Sequence, residues 1–105
     1  MQRIAFVINL KPGADPAEYR RRHDEIWPEM LAALRAAGVH NYSIYRHGDT
    51  LFAYLEADDF QWLTQTLAQD PVNARWQASM APLIEVDADP ATSFPPLLPE
   101  MFHMD

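Results

Sequence analysis

The first strand-like run is written in alternation: Ile4, Phe6, Ile8 and Leu10 fall on one side, with Arg3, Ala5, Val7 and Asn9 on the other. A hydrophobic period of two is that of a strand with one buried face. Lys11-Pro12-Gly13-Ala14 ends the run. The period then lengthens to three and four. Tyr19, His23, Ile26/Trp27, Met30/Leu31 and Leu34 make one helical stripe. Asp15 suits its N-cap, Pro16 its first position and Glu18 the acidic place of a capping box. Pro28 lacks an amide donor and clashes with the preceding turn, which predicts a kink or restart near Trp27. Gly38 then suits a left-handed helix cap.

Alternation returns in Val39 to Arg46, with Tyr42 and Ile44 on one face and Ser43 and Tyr45 on the other. His47-Gly48-Asp49 reads as a hairpin connection to a third strand, Thr50 to Glu56. Asp58 or Asp59 caps a helix carrying Phe60, Leu63 and Leu67. Asp70-Pro71 opens a short helix with Val72, Trp76 and Met80, and Leu83 to Val86 reads as the last strand. The order strand, helix, strand, strand, helix, strand predicts an α+β, ferredoxin-like βαββαβ fold. Its four-stranded antiparallel sheet carries the helices on one face. Large apolar residues are too frequent on the strands for the other face to stay wet, which predicts a homodimer joined through the sheet faces.

The chain has 105 residues, enough for one domain over 1–105. From 87 to 105 it becomes a proline-rich tail, with Pro90, Pro95, Pro96 and Pro99 ahead of Met101-Phe102-His103-Met104, a segment suited to docking. Net charge is −7, which disfavours a nucleic-acid partner. The basic run Arg20 to Arg22 is interleaved with acids, and Arg21 can pair with Glu25. There is no cysteine, hence no thiol chemistry and no disulfide. The alternating first ten residues lack the apolar core of a secretory leader, and no stretch approaches a membrane span. Together these predict a cytoplasmic protein with no membrane partner.

His23 is the leading chemical candidate. It shares a helix face with Tyr19, and histidine is the side chain best suited to move protons near neutral pH. Its spacing alone equally suits a histidine at the edge of the core. Tyr19, Trp27, Tyr42, Tyr45 and Trp76 are the side chains a carbohydrate site needs, flat apolar rings with a polar handle. They are also the material of an ordinary small core. Asp24, Glu25 and Glu29 lie on one helix and cannot flank a glycosidic bond. His40, His47 and His103 lack metal-ligand spacing, and three glycines make no phosphate loop. No metal or cofactor is expected.

Arg21-Arg22-His23-Asp24-Glu25-Ile26-Trp27-Pro28-Glu29 resembles the L-rhamnose mutarotase family. So do Gly38-Val39-His40-Asn41-Tyr42-Ser43-Ile44-Tyr45, Leu51 to Glu56, and Ala74-Arg75-Trp76, a likeness covering about residues 3 to 86. The resemblance implies a dimeric α/β barrel that interconverts the α and β anomers of L-rhamnose without a cofactor. It places His23 as proton donor and Tyr19 and Tyr42 against the sugar. Trp76 matches the first residue of the family's Trp-Trp pair. Gln77 stands where the second belongs, exchanging an aromatic platform for a hydrogen-bonding group. Mutarotation also needs a base, left open between Asp24 and water. Ile26 or Trp27 suits the methyl of a 6-deoxy sugar. The alternatives are a mutarotase for another 6-deoxy sugar, a dimeric ferredoxin-like monooxygenase or haem-degrading protein, and a non-catalytic binding module.

Overall fold

The computed structural model describes residues 1–87 and 94–105. Strand β1 (Gln2–Leu10) leads into helices α1 (Pro16–Asp24) and α2 (Pro28–Ala36). Strands β2 (Val39–His47) and β3 (Thr50–Ala57) follow, then α3 (Phe60–Ala68), α4 (Pro71–Met80) and a two-residue β4 (Ile84–Glu85). The sheet order is β2-β3-β1-β4, antiparallel at every pairing. This is the expected ferredoxin-like order. The last strand is shorter than Leu83 to Val86: only Ile84 and Glu85 pair, with Leu10 and Asn9.

Each helix start has a local cause. The Asp15 carboxylate accepts from Ala17 N at 2.9 Å, Asp59 from Gln61 N at 3.0 Å and Asp70 from Val72 N at 2.8 Å, satisfying amides that the helix leaves unpaired. Asp59, not Asp58, is thus the cap of α3. Glu18 does not close a capping box. Two arginine side chains, Arg21 and Arg22, take its carboxylate instead. At Pro28 the helix breaks outright. Trp27 is extended (φ −62°, ψ 137°), as a residue before proline prefers, and α2 restarts at Pro28.

One face of the sheet carries Ile4, Phe6, Ile8, Leu10, Leu51, Ala53, Leu55 and Ala57. It packs with Tyr19, Met30, Leu63, Trp76 and Met80 into a single core. β2 contains a bulge that the alternation did not reveal. His40 pairs with Glu56 but Ser43 with Tyr54, so β2 has one residue more than its partner. Asn41 absorbs the extra residue in the left-handed region (φ 49°), and its Nδ2 donates to Glu56 at 2.6 Å. The bulge resets parity, so that Val39 and Tyr42, three positions apart, both turn to the helical side.

Residues 88–93, which include Pro90, lie outside the described residues. Beyond them the tail returns along β1: Leu97 bridges to Phe6, Leu98 N donates to Ala5 O at 2.7 Å, and Arg3 grips Glu100 with two nitrogens. The ring of Phe94 packs edge-on to Phe6 and Phe60. Met101, Phe102 and Met104 remain exposed. No helix among the described residues is long and apolar enough to cross a membrane.

Candidate active site

A cavity of about 900 Å³ lies between the helical layer and the β2 side of the sheet. α1 supplies Tyr19, Arg20, His23 and Asp24 to its wall, β2 supplies Tyr42, Ile44 and Arg46, and α4 supplies Asn73, Trp76 and Gln77. Tyr19, His23, Tyr42, Trp76 and Gln77, the residues to which the family resemblance points, therefore line one cavity.

The i, i+4 spacing on α1 stacks the His23 imidazole on the Tyr19 ring, with centroids 4.3 Å apart and planes 28° from parallel. The Trp76 indole meets the same imidazole edge-on at 5.3 Å. Trp27 packs edge-on to the indole at 5.3 Å. Trp27 supports Trp76 and does not border the cavity, whereas Ile26 does. Of the two expected apolar walls only Ile26 is in place, because the break before Pro28 turns Trp27 away. Tyr42 is brought in by the β2 bulge and lies edge-on to Phe6 at 6.4 Å.

The polar atoms of these groups are mostly uncommitted. His23 Nδ1 bonds the Tyr19 carbonyl oxygen at 3.0 Å, and neither Nε2 nor either phenol has a hydrogen bond among the described residues. Burial lowers the His23 pKa. The bond to the Tyr19 carbonyl and the charge of Asp24 oppose that shift without cancelling it. Burial pushes Tyr19 up to about 12, and Tyr42 higher still with help from the Tyr19 phenol, although 38% of Tyr42's surface stays open. Both phenols keep their protons at neutral pH.

Gln77 is exposed, and its amide nitrogen reaches Asn73 Oδ1 at 3.4 Å while Asn73 Nδ2 donates to Leu67 O at 3.0 Å. Asn73 and Arg46 were missed in the sequence. Arg46 continues the inward parity of Tyr42 and Ile44, and Asn73 stands one turn before Gln77; those two spacings were the available signals. Asp24, a candidate base, borders the cavity but is well exposed and faces Arg20 at 3.7 Å.

α1 is tied to α4 by one side chain. Arg22 Nη1 donates to Ser79 O, and its Nε is held by Glu18 at 2.9 Å. Hydrogen bonds from Arg21 and Arg22 hold the Glu18 carboxyl down at about 2. Among the described residues no three histidine or carboxylate side chains gather as a metal site would require.

Fold and site together define a ferredoxin-like protein with an aromatic-lined cavity and a partly buried histidine in its wall. The model of the L-rhamnose mutarotase family matches residues 3–104. An L-rhamnose mutarotase of Oceanobacillus iheyensis is 37% identical over 107 residues, covering 100% of both chains. That of Bacillus subtilis is 46% identical over 94 residues, covering 84% of this chain and 85% of its own. A crystal structure of an L-rhamnose mutarotase from Formosa agariphila superposes with a TM-score of 0.80 at 32% identity over 100% of both chains. The chain belongs to the L-rhamnose mutarotase family.

Proposed function

We propose that this protein interconverts the α and β anomers of L-rhamnose by opening and reclosing the sugar ring. The observation that carries the reading is His23, stacked on Tyr19 and facing Trp76 at the wall of a cavity with ample room for a sugar, in a chain of this family. As the bond between C1 and the ring oxygen breaks, His23 gives that oxygen a proton. Tyr19, Tyr42, Trp76 and Gln77 hold the sugar: the aromatic rings cover its C–H faces, and the phenols and the amide meet its oxygens. One positioned acid–base group contributes about 10²–10⁴-fold, and orientation in the cavity adds to that.

The protein works as a homodimer joined through the outer sheet faces. Supporting this, Val7, Phe52 and Tyr45 line up in register across three strands of that face, with Phe52 43% and Tyr45 71% exposed. A cytoplasmic location suits a chain without cysteine.

Saturation transfer between the two anomeric protons of equilibrated L-rhamnose tests the activity. Catalytic amounts of protein are expected to raise exchange far above the protein-free rate. His23→Ala is expected to lose about 10²–10⁴-fold of the enhancement while staying folded. Undiminished exchange in a folded His23→Ala protein removes His23 from the mechanism.

A further inference from the structure

The bond between His23 Nδ1 and the Tyr19 carbonyl fixes more than the ring's orientation. A carbonyl oxygen can only accept, so Nδ1 carries the hydrogen. In a neutral ring the other nitrogen then has a bare lone pair. That nitrogen, Nε2, has no partner among the described residues, and its ring borders the cavity. We infer that His23 begins each turnover as a base, taking the anomeric hydroxyl proton at Nε2 and passing that same proton to the ring oxygen. The inference rests on the mutarotase reading and supplies the base that the reading lacks.

The step balances within the sugar and one imidazole. Nε2 takes the proton of the C1 hydroxyl, and the freed electron pair on that oxygen forms the aldehyde C=O. The bond from C1 to the ring oxygen breaks, its pair stays on the ring oxygen, and the proton on Nε2 moves there. His23 is neutral again at the open-chain stage. Rotation about C1–C2 and the reverse sequence close the ring on either face. The two oxygens share one carbon, so a single nitrogen can serve both with a small shift of the sugar. No second acid is consumed. Tyr19 and Tyr42 keep their protons and act as hydrogen-bond donors to whichever oxygen carries the developing charge.

The charged and titratable groups at the cavity are few. α1 offers Arg20, Asp24 and Tyr19, β2 offers Tyr42 and Arg46 with Tyr45 at the rim turned to the other face, and α4 contributes only the uncharged Asn73, Trp76 and Gln77. Asp24 favours the imidazolium, but burial outweighs it, so the ring is neutral at pH 7.

The sign of the pH profile decides between base and acid. With the protein-free rate subtracted, kcat/KM for L-rhamnose is expected to be level at neutral and alkaline pH. It should fall about tenfold per pH unit below the His23 pKa, as for a base that must be unprotonated in the free enzyme. Tyr42→Phe should lower the plateau without moving that limb. A rate that declines as pH rises through the His23 pKa overturns the inference, leaving His23 an acid from the start. The ¹⁵N shifts of the imidazole give an independent reading: a protonated Nδ1 with a bare Nε2 across the plateau supports it, and the opposite tautomer overturns it. Absence of exchange at every pH defeats the mutarotase reading itself, and the tautomer measurement still decides the state of His23.

Discussion

Helices α1 and α3 occupy equivalent places in the two halves of the fold, yet they are held by different forces. α3 buries Leu63 completely and is an apolar wedge. α1 buries only Tyr19 and is otherwise a lattice of charge: Glu18 with Arg21 and Arg22, Arg20 with Asp24, and Arg21 with Glu25. The helix that carries His23 has almost no share in the core. Its position comes from Tyr19 in the core, from His23 set edge-on to Trp76 and from Arg22 reaching across to Ser79 O. Core and site therefore meet at Tyr19 and Trp76, while the rest of α1 is free to place polar chemistry at a cavity wall.

Substitutions on each side sharpen that contrast. Ile4→Ala, in the core and away from the cavity wall, should cost about 2–5 kcal/mol of stability by leaving a void, read by urea unfolding. Exchange activity per folded molecule should stay within about twofold; a large activity loss would join core and site. Next in size is the β2 bulge. Asn41→Val forces a β-branched side chain into the left-handed region at about 1–3 kcal/mol, whereas Asn41→Gly keeps the conformation. The valine variant should bind sugar more weakly than the glycine variant in a titration followed by tryptophan fluorescence. Equal binding would show that Tyr42 does not depend on the bulge.

Arg22→Gln comes third. It removes a charged hydrogen bond between α1 and α4, which lowers stability by about 1 kcal/mol at a half-buried position. kcat should fall more than KM rises, because what is lost is the placement of His23 against Trp76. The reverse split would show that Arg22 shapes the sugar-holding wall and does not position His23. The smallest effect is electrostatic. Glu18 has its carboxyl lowered from 4.5 to about 2, so its contribution is full above 4.5 and disappears as pH falls towards 2. The melting temperature difference between the natural chain and Glu18→Gln should be constant from pH 7 to 5 and close in that acid window. A difference that closes above pH 5 would assign it to another group.

Much of this molecule was legible in its residues. The period-two runs placed β1 and β2, the hairpin turn placed β3, and the Asp-Pro pairs at 15–16 and 70–71 placed α1 and α4, because capping and proline stereochemistry act over one or two residues. The stripe through Tyr19 and His23 placed half of the site. The bulge at Asn41 was hidden: its cause is the register of β2 against β3, a relation between residues more than ten positions apart. Alternation alone put Tyr42 and Ile44 on a common face but could not say that Val39 joins them. Trp27 failed as a cavity wall for a related reason. Proline foretold the break, but the direction of the turned indole depended on Trp76, from the other end of the chain.

β4 pairs with only the last two residues of β1, leaving the earlier part of that strand with an open edge. An alternating apolar strand with unpaired amides is a template on which another chain can add. Leu97 and Leu98 lie over that edge, fastened by Arg3 to Glu100, so the end of the polypeptide occupies the place where a foreign strand would nucleate. The proline-rich tail is in this sense a stopper against fibre growth. Pro95, Pro96 and Pro99 make it a self-terminating one, since residues without an amide hydrogen cannot pass the ladder on to the next neighbour.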